Sequence, residues 1–79
     1  MKQVLETLER ISNDNRWFQE NYLSFKNKYA NEFIAIKERE IIAHAKNLNM
    51  IIKILEDKKE DPAFILIEFI TPKGIEIIL

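Results

Sequence analysis

The stretch Phe33-Ile34-Ala35-Ile36-Lys37-Glu38-Arg39-Glu40-Ile41-Ile42-Ala43-His44-Ala45 decides the fold. Two short runs rich in β-branched residues, 33–37 and 40–45, flank Glu38-Arg39, and the pattern predicts a β-hairpin. A two-residue turn sets Ile36 opposite Ile41 and Ile34 opposite Ala43 on one side. The other side then carries Ala35 with Ile42 and Phe33 with His44, while Lys37 meets Glu40 as opposite charges. The turn chemistry fits less well. Tight hairpins favour Asn-Gly or Asp-Gly because both central residues take positive φ, and neither Glu38 nor Arg39 is glycine. A looser loop would ease the turn and disturb the pairing.

Upstream of the hairpin the pattern is helical. Val4, Leu8, Ile11, Asn15, Phe18, Tyr22, Phe25 and Tyr29 are spaced alternately by four and three residues, which places them on one helical seam. Trp17 lies beside the seam and thickens its apolar face. Ser12-Asn13-Asp14-Asn15 is the weak point, because such residues favour caps and turns over helix interiors. Two readings follow: one helix from about Lys2 to Ala30, or two helices meeting near Asn13 to Asn15. Four consecutive cap-type residues argue for the break.

Downstream, Asn47 is an N-cap candidate for a helix whose Leu48, Ile51, Ile52 and Leu55 form an i, i+3, i+4, i+7 stripe. Lys58 and Lys59 suit a helix C-terminus, and Pro62 blocks continuation. Ala63 to Ile70 is apolar except for Glu68, which predicts a strand covered on both faces or placed centrally, away from a sheet edge. Thr71-Pro72-Lys73-Gly74 is a turn signal, and Ile75 to Leu79 can form a last strand. The fold class expected is α+β: an N-terminal helix or helix pair, a hairpin, a helix, then one or two strands. The helices would cover one face of a small, mostly antiparallel sheet, with a right-handed crossover between the second and third strands. Residues 1–79 make a single domain, with 1–13 able to protrude or stand as a separate N-terminal helix.

At 79 residues the chain has room for one core. So small a domain buries only roughly 60% of the surface its unfolded chain exposes, and such chains lean on disulfides, a metal or association. There is no Cys and one His, His44, which removes thiolate chemistry and argues against a metal centre. Association is the remedy left. The net charge is −1, with 12 basic and 13 acidic residues interspersed rather than gathered into the basic stripe that phosphate binding needs. No apolar run approaches the ~20 residues that span a bilayer, and the opening residues lack a signal-peptide core. A cytoplasmic protein is expected. Richness in Ile, Lys and Glu suits a heat-adapted source, although AT-rich coding gives a similar bias.

Little in the sequence nominates catalysis. His44 is the one side chain that titrates near neutrality, and its plain structural role is a strand-end imidazole packed on Phe33. Glu68, a carboxylate in an apolar strand, could serve as a general acid. The simpler account has it pointing out from the less covered face or pairing with a lysine such as Lys37. With Gly74 as the only glycine, phosphate loops and dinucleotide fingerprints are excluded. No catalytic, cofactor-binding or metal-ligating residue is therefore assigned, and no cofactor, small-molecule ligand or enzyme activity is expected. The feature with functional content is the start of the seam, Val4, Leu8, Ile11 and Asn15, which has the least domain to rest on. It points to a module that pairs with itself as a homodimer or docks another protein, with Asn15 fixing register against another Asn15. The alternative is an antitoxin-like, nucleic-acid-associated regulator whose basic surface forms only in an oligomer.

Trp17-Phe18, Tyr29, Phe33-Ile34-Ala35-Ile36, Ile41-Ile42-Ala43-His44, Asp61-Pro62 and Phe64 to Ile70 together resemble a family of short prokaryotic, chiefly archaeal, proteins classed as a domain of unknown function. The resemblance covers about Arg16 to Ile70. It implies a helix opened by an aromatic pair, a "VAI"-"VIAH" hairpin, a capped helix and an apolar strand. Relatives carry Asn-Gly or Asp-Gly at the hairpin turn and often Gly after the His, so Glu38-Arg39 and Ala45 depart from the pattern. The resemblance implies no activity, cofactor or site residues.

Overall fold

Asp14 is one of the most deeply buried residues of the protein, at 1% exposure, and it accounts for much of how the chain folds. The computed structural model describes residues 2–71; the last strand expected at 75–79 and most of the turn before it lie outside the described residues. Helix α1 (Lys2–Glu20) is followed by α2 (Tyr22–Lys28), strands β1 (Phe33–Ile36) and β2 (Ile41–Ala45), helix α3 (Leu48–Asp57), a 3₁₀ turn (Pro62–Phe64) and strand β3 (Leu66–Phe69). The expected α+β class and element order are found.

The helix break falls at Asn21 and not at Asn13–Asn15. Asp14 would compete for its own backbone in isolation, but its carboxylate is drawn across to the hairpin, so helix α1 runs straight through. At Asn21 the competition succeeds. Its Nδ2 donates to the Trp17 carbonyl at 2.9 Å, and its backbone N–H is shared between the Trp17 and Phe18 carbonyls at 3.1 and 3.2 Å.

The sheet has three strands in the order β2-β1-β3, with β1 central and antiparallel to both neighbours. Hence β2 and β3 run parallel to each other and are joined by α3 across β1. The apolar third strand, expected away from an edge, pairs only with β1 among the described residues. It is also shorter than the apolar run 63–70. Asp61 accepts a bond from the Ala63 N–H at 3.0 Å and opens a 3₁₀ turn led by Pro62, which takes up the start of that run.

The hairpin turn has two residues, with Lys37 and Glu40 exchanging backbone bonds of 2.9 and 3.1 Å and Ile36 opposite Ile41. Beyond that point the expected register fails. A β-bulge shifts it by one, so that Ala35 faces Ala43, Ile34 faces His44 and Phe33 faces Ala45. Ile42 is the extra residue.

The helices divide between both faces of the sheet and do not share one. Ile34 and Ile36 pack with Phe18, Phe25 and Ile70 beneath α1 and α2, whereas Ala35, Ala43 and Ala45 pack with Ile51 and Leu55 of α3. The cause is visible in β1: Phe33-Ile34-Ala35-Ile36 is apolar on both faces, and a central strand of that kind needs cover on both. Ile34, Ile36, Ile51, Leu55 and Ile70 are fully buried, each contributing about 1.5–3 kcal/mol by leaving water. Helix α3 starts as expected, with Asn47 accepting from the Met50 N–H at 2.8 Å. It ends in a Schellman motif: Glu60 N–H donates to the Leu55 carbonyl at 2.8 Å and Lys59 N–H to that of Glu56 at 2.9 Å. Lys59 takes φ 62° there in place of the usual glycine.

Candidate association surface

Helix α1 is held against the body by three of its turns. Phe18, 3% exposed, fills the space over β1 and β3. Asp14 bonds the hairpin turn. Arg10 donates through its guanidinium to the Phe64 carbonyl in the 3₁₀ turn. Nearer the N-terminus the apolar spacing continues without a matching surface beneath it. Val4 is 60% exposed and Leu5 and Leu8 are each 59% exposed. Of the residues expected in the seam, Val4, Leu8 and Asn15 are exposed and Ile11 is half-buried. Leu5 escaped the seam reading because it sits off the alternating spacing. It is one turn from Leu8 and widens the same apolar side. Phe64 is a further large apolar side chain left in water.

The other candidates are placed as follows. His44 does not pack on Phe33, because the bulge turns it to the α1–α2 face. Its ring lies 5.1 Å from that of Tyr29, and its Nδ1 sits 2.9 Å from Glu32 Oε1. Phe33 lies on the other face with Phe69, ring centres 4.9 Å apart. Glu68 faces Ile34 on β1 and is half-buried; desolvation pushes its carboxyl above the ordinary range. It does not pair with Lys37, whose ammonium reaches both carboxylate oxygens of Glu60 at 2.9 Å. His44 and Glu68 thus share a face and flank Ile34, two strand spacings or about 9–10 Å apart. The fully buried Ile34 lies between them on β1.

The residue that sequence reasoning missed is Asp14. Its signal was present twice, in a polar run that failed to break its helix and in a turn without glycine, but only the fold joins the two. Among the described residues no group of three or more His, Cys, Asp or Glu could hold a metal ion. No described helix is long and apolar enough to cross a membrane.

Helix–hairpin–helix–strand is the architecture of an α+β module with an apolar helix end left open. The chain belongs to the family of unknown function DUF5678, whose model matches residues 24–73. The match begins inside α2 and takes in the hairpin, α3 and β3 of this chain, while α1, with Asp14 and the exposed seam, lies ahead of it. No curated protein and no solved structure matches the chain.

Proposed function

We propose that this protein is a non-catalytic association module that pairs with a second copy of itself through the first turns of α1. The observation that carries this reading is the exposure of Val4, Leu5 and Leu8 on a helix whose following turns bury Asp14 and Phe18. An apolar stripe in water is stabilised by covering it, and an identical stripe on another copy has the matching spacing. Asn15, exposed two steps beyond Leu8 along the seam, would then set register against its counterpart. Three side chains make a small patch beside the ~800 Å² that each partner contributes to a standard interface. The dimer is therefore expected to be concentration-dependent.

Sedimentation velocity over a hundredfold concentration range tests it. The wild type is expected to shift towards dimer as concentration rises, and Leu5→Lys with Leu8→Lys to stay monomeric with an unchanged circular dichroism spectrum. A wild type that remains monomeric across the range overturns the reading, as does a double variant that still dimerises.

A further inference from the structure

Glu38 and Arg39 stand at φ 52° and 58°, the left-handed region that is unfavourable for any residue with a Cβ. Nothing in the local sequence supports that conformation. Support comes from elsewhere in the chain: Asp14 Oδ2 accepts from the Glu38 N–H at 3.1 Å and Oδ1 from the Arg39 N–H at 2.7 Å. Each carboxylate oxygen takes one of two successive amides, which a turn of this type points to the same side. A carboxylate accepting backbone N–H bonds forms a stronger pairing than a neutral acceptor. The dependence runs both ways. Asp14 is buried, and a buried carboxylate without donors is heavily penalised, so α1 can seat itself on the sheet only where the turn presents both amides.

We propose that Asp14 is a latch that makes the docking of α1 and the closing of the hairpin a single event. Opening either end opens the other. This goes beyond the association reading and stands without it. If a partner does take α1 by its open end, drawing the helix off its sheet releases the Glu38–Arg39 turn as well, so the hairpin reports what happens to α1.

Trp17 provides the readout at the helix end. It is the only tryptophan, sits on α1 and packs on Phe25 of α2 with ring centres 5.2 Å apart. Amide exchange at residues 38–41 provides the readout at the other end. Asp14→Ala, under conditions where circular dichroism shows the helices intact, is expected to speed exchange of the Glu38 and Arg39 amides by about tenfold or more. Arg39→Pro removes the N–H and forbids positive φ; it is expected to move Trp17 emission to longer wavelength although Trp17 is on another element. Should Asp14→Ala fail to fold, the same change is made in a chain carrying Glu38→Asn and Arg39→Gly, whose turn holds its shape unaided. There the hairpin is expected to stay protected while Trp17 loosens. The latch is overturned by wild-type Trp17 emission in the proline variant. Unchanged exchange in Asp14→Ala overturns it too, as does equal loss of hairpin protection whichever turn is present.

Discussion

The two halves of α1 carry one apolar spacing to opposite ends. From Asp14 onward the helix lies over the sheet, and Phe18 is closed off from water. From Ile11 back the same spacing continues through Leu8 and Val4 into solvent. Periodicity says which side chains share a side of a helix; it says nothing about what lies opposite them. What lies opposite is limited by a sheet of only three strands, two spacings of roughly 4.8 Å from edge strand to edge strand. A helix of 19 residues is about 28 Å long and outruns it.

The contrast breaks most clearly if the two halves respond alike to truncation. Phe18→Ala should cost about 3–5 kcal/mol in urea unfolding, enough to leave so small a domain largely unfolded. Leu8→Ala should stay within about 0.5 kcal/mol at concentrations where the chain is monomeric. Equal losses would place Leu8 in the core and remove the association surface.

Next in size comes the pH dependence of the covered face. Glu68 lies beneath the buried half, and its carboxyl is raised by desolvation. A group whose folded-state value is raised binds its proton more readily when folded. Its contribution is present below the ordinary glutamate range and is lost as pH climbs through the raised value. Stability should therefore fall with rising pH across that window, and Glu68→Gln should flatten the fall in thermal melts recorded from pH 4 to 7. An identical slope in the variant would show that α1 does not shield this position.

The smallest effect is expected on the open side. Asn15→Leu extends the apolar stripe without touching the core. It should leave the urea midpoint of the dilute protein within about 0.5 kcal/mol while tightening dimerisation in sedimentation. Weaker association would mean that Asn15 faces something other than a second seam.

The hairpin, the Asn47 cap and α3 were legible because each rests on neighbours in sequence: two β-branched runs around two polar residues, and an amide side chain three residues before the N–H it caps. The division of the helices is also written in the sequence, in a strand apolar on both sides, although helix patterns alone suggest a single covered face. The bulge was not legible. Ile41 and Ile42 are chemically the same, so either register buries an isoleucine, and the small Ala43 and Ala45 under α3 settle the matter only once the helix is in place. The continuity of α1 through Asp14 depends on a turn 24 residues away, beyond the reach of any local preference. At the candidate surface, the spacing named Val4 and Leu8. Their exposure depends on which side of α1 turns to the body, since Thr7, Arg10 and Ile11 beside Leu8 are half-buried while Leu8 is exposed.

The bulge at Ile42 has a consequence for length. Because that residue is surplus to the ladder, a chain shortened by one there would keep Ile36 with Ile41, Ile34 with His44 and the alanines toward α3, and only a local kink would be ironed out. One residue lost from the four of β1 has no such slack: everything beyond the gap would change sides, so that loss of Ile36 would turn Ile34 toward α3 and Ala35 toward α1. Tolerance to insertion and deletion should thus be lopsided across the hairpin, with β2 forgiving and β1 strict.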